Sequence, residues 1–246
     1  MTSGDAPARA DCNNSIPSAQ ASNASVVIIV SSVVLVTRDP QQALLWRDHL
    51  SVNRQYEVVA ITNAARSARA LLQQHRPRVV VCELRLLDGT ALAMIQWLAG
   101  EPDSIRPAIV VVTPDPQDPL LREATRSGAD NFFISGREGD TLAACVRRTL
   151  LGEATLTPAL AQALLDHFEG LTPRSRAFSP IDAVQSPLQL EPDERDLLVR
   201  VAAGIGIDEL AEQRSLHPHG LAVLARAIFR KLQWDQRAGS LSLQLA

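Results

Sequence analysis

Between residues 26 and 152 the apolar positions fall into five short, nearly continuous runs, rich in Val and Ile. Stretches with apolar positions at helical spacing separate them. The runs predict strands at Val33–Val36 (starting as early as Val26), Tyr56–Ile61, Arg78–Glu83, Ala108–Thr113 and Asn131–Ile134. Asp39-Pro40 opens a helix after the first run, with Asp as N-cap and Pro in the first turn. Asn63 is the expected cap of a helix through His75. Thr90–Ala99, Pro119–Ser127 and Asp140–Leu151 complete the set, each closed by a glycine.

Strands that are apolar almost throughout are buried on both faces, which is the pattern of a parallel sheet covered by helices. Five such units predict an α/β, flavodoxin-like, doubly wound domain whose functional crevice lies beyond the carboxyl ends of the strands. Thr37, Arg38, Asp39, Glu83, Thr113 and Ser135 are expected there.

Beyond residue 152 the pattern changes. Thr157-Pro158 starts an amphipathic helix with Leu160, Leu164, Phe168 and Leu171 on one face, expected to pack on its own domains or across a dimer. A Pro- and Ser-rich stretch follows and reads as a linker. Residues 187–246 are helical throughout: Glu191–Ala203, a stop at Gly204, Ile207–Gln213, a third helix from His217-Pro218 to about Trp234, and a fourth over the last residues. Helix, short turn, helix is the layout of a helix-turn-helix module. The expected organisation is a tail at 1–25, a receiver-like domain at 26–152, a linker helix and linker at 153–186, and an all-α helix-turn-helix domain at 187–246.

Composition narrows this picture. The chain has 246 residues, enough for two small domains, and a net charge of −3, which argues against a strongly basic nucleic-acid protein but not against a local basic patch. Cys12, Cys82 and Cys145 show no CxxC spacing, so neither a zinc site nor a disulfide framework is expected, and a reduced, cytoplasmic setting is. The 11-residue run Val26–Val36 is too short to span a bilayer, which needs about 20 residues. The 23 arginines against one lysine, Lys231, read as a codon bias and carry no mechanism.

Both halves resemble the two-domain response regulators with a CheY-like receiver and a NarL/LuxR-type helix-turn-helix. The C-terminal resemblance rests on Pro192, Glu194, Arg195, Leu198, Ala202, Gly204, Glu209, Ala211, Glu212, Pro218, Ile228, Lys231 and Leu232. The receiver resemblance rests on "RPRVVVCELRLLDG", on "AIVVVT" ending at Thr113, and on "SGADNFF". The resemblance implies an aspartate that accepts a phosphoryl group, an acid pair that holds Mg²⁺, and a Thr and a Lys that bind the phosphate. A dianionic phosphate beside a carboxylate needs such a metal and ammonium to offset it.

Here the acid pair falls on Thr37 and Arg38, the acceptor on Glu83 and the Lys on Ser135, with Thr113 kept. An arginine in place of an oxygen ligand opposes Mg²⁺. The position is therefore expected to be retired, with no cofactor, no metal and no enzymatic activity. Glu83 either reaches Thr113 or Arg38 as a stand-in for the phosphorylated state, or merely pairs with Arg38 or caps the next turn. Thr113 and Phe132 occupy the positions that move together in the family; otherwise they are a strand-end hydroxyl and a core aromatic.

The resemblance makes the third helix of the module the DNA-reading one. The family's Thr, Val, Lys and His fall on Gly220, Leu221, Ala222 and Leu224, so hydrogen-bonded base readout is thin. Arg214, His217, His219, Arg226, Arg230 and Lys231 remain as phosphate contacts, or as plain solvated helix charges. Residues 187–246 hold seven Arg and Lys against eight Asp and Glu, poor for a stand-alone DNA binder, which dimerisation on a palindrome would offset. The expected function is a phosphorylation-independent, homodimeric, DNA-binding transcriptional regulator with a pseudo-receiver. The alternative is an interaction protein that binds no DNA and modulates another regulator or signalling protein.

Overall fold

The computed structural model describes residues 30–52, 54–137, 139–170 and 189–244. Strand β1 (Ser31–Val36) leads into helix α1 (Pro40–Ser51), then β2 (Tyr56–Thr62), α2 (Ala65–His75) and β3 (Val79–Glu83). A two-stranded ladder, β4 (Arg85–Leu86) with β5 (Gly89–Thr90), precedes α3 (Leu92–Ala99). Strand β6 (Ala108–Thr113), α4 (Leu120–Ser127), β7 (Asn131–Ile134) and α5 (Leu142–Leu150) close the α/β part. Helices α6 (Pro158–Gly170), α7 (Pro192–Ala202), α8 (Ile207–Gln213) and α9 (Pro218–Gln244) follow.

The five long strands form one parallel sheet in the order β2-β1-β3-β6-β7. This is the doubly wound arrangement expected from the runs, with a change of winding direction at β1 and β3. Alternation along each strand splits the core. Val33, Leu35, Val79 and Val81 pack with Trp46 and Leu50 of α1 and with Leu142, Cys145 and Val146 of α5. Val34, Val36, Val80 and Cys82 pack with Ala68 and Leu72 of α2 and Ile95 and Leu98 of α3. The second core does not stop at α4. It continues through Leu160, Leu164 and Phe168 of α6 into Leu197 and Leu198 of α7, Leu210 of α8, and Ala225, Ile228, Phe229 and Leu232 of α9.

Local chemistry sets the helix ends. Asp39 accepts from the Gln41 N–H at 2.9 Å, as an N-cap should. Asn63 does not cap α2: the N-cap is Ala64, and Asp88, from the turn between β4 and β5, accepts from the Ala65 and Arg66 N–H groups at 2.8 and 3.1 Å instead. Arg76 ends α2 in the left-handed region at φ 42°. Thr90 belongs to β5, so α3 starts at Leu92. Thr141, not Asp140, caps α5, accepting from Ala144 N–H at 3.1 Å, while Asp140 pairs with Arg148 at 2.8 Å. Gly128 closes α4 at φ 122°, and any Cβ there would run into Ala99.

One larger expectation changes, and one open alternative is decided. The separate fourth helix of the C-terminal part is absent, because α9 runs unbroken from Pro218 to Gln244. The apolar face of α6 packs within its own chain: Leu160, Leu164 and Phe168 are all at most 5% exposed. Its fourth member, Leu171, and the tail and linker positions 1–29 and 171–188 lie outside the described residues.

Candidate functional site

At the carboxyl rim of the sheet the strands deliver Thr37, Glu83, Thr113 and Ser135 as expected. Glu83 ends β3, and its Oε2 accepts from the backbone N–H of Arg38 at 3.0 Å. The contact is to the main chain, so Glu83 caps the second residue beyond β1. The Thr37 hydroxyl, buried, accepts from the Asp39 N–H at 3.3 Å, and Asp39 is committed to capping α1. Thr113 does not meet Glu83. Its hydroxyl accepts from the Asp115 N–H at 3.1 Å and donates to the Asp115 carbonyl at 3.3 Å, a turn closed on itself. Ser135 is tied to the sheet by its N–H, which donates to Thr113 O at 2.9 Å.

The Thr37 and Thr113 hydroxyls and one Glu83 oxygen therefore have local structural partners. Among the described residues no group of three or more His, Cys, Asp or Glu is placed to hold a metal ion. Directly beneath Glu83, Cys82 is fully buried. Burial, with the Glu83 charge second, pushes its thiol up to about 12, so it carries no thiolate at neutral pH.

The more elaborate polar arrangement lies at the β7 edge, against α9. Asp130, 1% exposed, stands at the entry to β7. Its Oδ2 accepts from Ile109 N–H at 2.7 Å, and its Oδ1 takes Arg106 Nη2 at 2.9 Å. The same oxygen forms an ion pair with Arg226 of α9. Gln233, nearly two turns further along α9, donates to Ala129 O at 3.0 Å. Arg106 donates to Gly128 O at 2.8 Å. Between these grips, Phe229 of α9 meets Phe132 of β7 edge to face, with centroids 5.9 Å apart. Burial, with Arg106 and Arg230 adding like charge, pushes the Arg226 guanidinium down to about 9, so it remains cationic at neutral pH.

The start of α9 is held as well. Ala154 N–H donates to Ala222 O at 3.0 Å, and His219 Nδ1 lies 2.6 Å from the Glu153 carboxylate. His167 of α6 meets Asp235 of α9 at 3.1 Å.

The chain is 23% identical over 208 residues to the nitrate/nitrite response regulator protein homolog of Haemophilus influenzae, covering 85% of this chain and 93% of that protein. It is 24% identical over 191 residues to the DNA-binding transcriptional activator DevR/DosR of Mycobacterium tuberculosis, covering 77% and 82%. The chain resembles the two-domain response regulators of the NarL type. Among solved structures, RcsB of Salmonella enterica serovar Typhimurium bound to a promoter matches at 16% identity and a TM-score of 0.47, over 82% of this chain and 92% of that one. No family model matches the chain.

The residues expected from the sequence to read DNA meet different surroundings on and just ahead of α9. Arg226 is not a solvated charge: it is buried in the Asp130 ion pair. Lys231 donates to Glu194 at 2.6 Å and to Gln189 O at 3.0 Å, joining the capping box of α7. Arg214 pairs with Asp196. Leu221 is buried in the core, and Ala222 carries the backbone bond from Ala154. His217, His219, Gly220 and Arg230 are exposed, and the His217 ring accepts from the His219 N–H at 3.2 Å.

Sequence reasoning missed Asp130, Gln233 and Glu153. Asp130 lies inside the quoted "SGADNFF" stretch, and a carboxylate at the entry to a buried strand is the signal that could have marked it. Among the described residues no helix is long and apolar enough to cross a membrane.

Proposed function

We propose that this chain is a DNA-binding transcriptional regulator whose receiver-like domain is not switched by phosphorylation and holds the reading helix by direct packing. The observation that carries the proposal is the buried grip on α9 by Asp130, Ala129 and Phe132. It joins the sheet edge of the α/β part to the helix that would enter DNA, while the rim that would take a phosphoryl group is spent on caps and turns. The curated relatives' names, a response regulator and a DNA-binding transcriptional activator, agree with this reading.

In it, residues 26–152 form the receiver-like domain, 153–186 the linker helix and linker, and 187–246 the helix-turn-helix domain. The chain works as a cytoplasmic homodimer and catalyses no reaction. His217, Gly220 and Arg230 are free for DNA in the closed arrangement; Arg226 and Ala222 become so when α9 leaves the β7 edge.

A second reading has its own support. Arg214, Arg226 and Lys231 are all neutralised within the chain, which favours an interaction protein that modulates another regulator without touching DNA. A mobility-shift titration separates the two. Phosphate contacts make binding steeply salt dependent. The full chain and Phe132→Ala, which weakens the grip without altering α9, are titrated against promoter DNA at about 50 mM and about 200 mM salt. Binding by the variant at low salt, tighter than that of the unaltered chain and lost at high salt, supports the regulator. Failure of both proteins at low salt leaves the interaction protein.

A further inference from the structure

At the opposite, amino end of the sheet, a cavity of about 340 Å³ opens between the last turns of α2 and α3. Pockets that hold small molecules run from about 300 to 1,000 Å³, so this one suits a small ligand. Its lining is mixed, about half apolar and half polar. Leu72, Trp97, Leu98 and Ile105 supply apolar surface, and Gln73, Arg76 and Glu101 supply an amide and two opposite charges. Nothing in the rim chemistry or the α9 grip uses this cavity.

Its parts are fixed before any ligand arrives. Leu72 and Leu98 are buried in the core. Arg69 lies over the Trp97 ring at 4.9 Å from its centroid and holds the indole in place. The Ile105 and Arg106 N–H groups both donate to Pro102 O at 2.9 Å and close the turn that carries Ile105. The two charges stand on different elements: Arg76 ends α2, and Glu101 directly follows Gly100, which ends α3. They form no ion pair with each other. Among the described residues no side-chain hydrogen bond or ion pair engages Gln73, Arg76 or Glu101.

Arg76 is also placed against its backbone preference. Its φ of 42° and ψ of 58° lie in the left-handed region, where a helix ends most easily on glycine. Among the described residues only Ser215 shares a positive φ without being glycine. A helix that merely had to stop needs no guanidinium at that position. Backbone strain of this kind gathers at ligand clamps, and here it sets a free cation at the edge of the cavity.

We propose that the cavity between α2 and α3 binds a small zwitterion with an apolar body, of the class of the free apolar α-amino acids. The carboxylate pairs with Arg76, the ammonium with Glu101, and the side chain lies against Trp97, Leu98 and Ile105. The Gln73 amide can serve either charged end. A wholly apolar ligand would cover two charges without pairing them. A plain anion would meet Glu101, and a plain cation Arg76, as like charge. A ligand that carries both charges satisfies both residues.

Trp97 provides the readout. Trp46 is buried and Trp234 is 54% exposed, so in a full chain with Trp234→Phe the indole near solvent is Trp97. Its fluorescence is followed while L-phenylalanine or L-leucine is added up to about 10 mM, and calorimetry repeats the titration on the unaltered chain. Two analogues serve as controls: 3-phenylpropionate, which lacks the amine, and phenethylamine, which lacks the carboxylate. Saturable binding of at least one amino acid is expected. Arg76→Gly and Glu101→Gln should each weaken it about tenfold or more, the usual loss of a charged hydrogen bond. Arg76→Gly should melt no lower than the unaltered chain, because glycine relieves the left-handed position, so lost binding in that variant is not lost folding. Binding of neither amino acid overturns the proposal, as does undiminished binding by Arg76→Gly. Equally tight binding of 3-phenylpropionate or phenethylamine overturns the assignment to a zwitterion.

Discussion

Asp130 at the entry to β7 and Arg226 on α9 form a buried ion pair that fastens the C-terminal helices to the edge of the parallel sheet. The carboxylate is shared with Arg106 and the Ile109 N–H, so its charge is satisfied from three directions. Removing one member of a buried pair leaves the other charged and dry, at a cost of about 3–5 kcal/mol, whereas replacing both by apolar groups is often neutral. Asp130→Asn is therefore expected to lower the urea midpoint strongly, and Arg226→Met less so, because Arg106 still pairs with Asp130. In Asp130→Asn/Arg226→Met the two losses should add to less than their sum, and equilibrium unfolding of the four chains measures that coupling. Strict additivity would falsify the pair as a coupled unit.

Glu83 gives a second expectation. Its carboxylate holds the Arg38 N–H, and a glutamine keeps an acceptor oxygen in reach. Glu83→Gln should change stability little and Glu83→Ala by about 1 kcal/mol. Neither effect should depend on Mg²⁺, and incubation with Mg²⁺ and a small-molecule phosphodonor should leave the intact mass unchanged. A mass increase of one phosphoryl group that Glu83→Gln abolishes would overturn the reading of the rim.

Asp88 should give the stability curve an acid limb. The Ala65 and Arg66 N–H groups bond to its carboxylate and hold its pKa below the ordinary 3.8. A group whose folded pKa is depressed contributes its stabilisation above the unfolded pKa and loses it as pH falls through the folded value. Asp118 is lowered in the same direction, by its bond to Arg85. The start of α2 should therefore loosen below about pH 4. Asp88→Asn, which retains one acceptor oxygen, should flatten the dependence of unfolding free energy on pH between about 5 and 3.

The two buried thiols should be inert. Burial pushes Cys82 and Cys145 up to about 12. In a Cys12→Ser chain, an aromatic disulfide reagent at neutral pH should titrate no thiol in the native state and two in denaturant. Fast native labelling of either would mean that the sheet face opens far more readily than its packing suggests.

The sequence by itself determined the strands, the helices and their order. Val- and Ile-rich runs and 3.6-residue spacings are local patterns, and local patterns decide local structure. They also placed Thr37, Glu83, Thr113 and Ser135 together at the carboxyl rim of the sheet. The sequence did not determine partners. Asn63 sits at a cap position and Asp88 takes the cap from across a turn. Arg226 and Lys231 look like solvated helix charges, yet one is buried against Asp130 and the other closes onto Glu194. Whether a charged side chain meets water, DNA or another charge depends on which distant surface folds against it, and only the tertiary structure, by bringing the β7 edge onto α9, decided that.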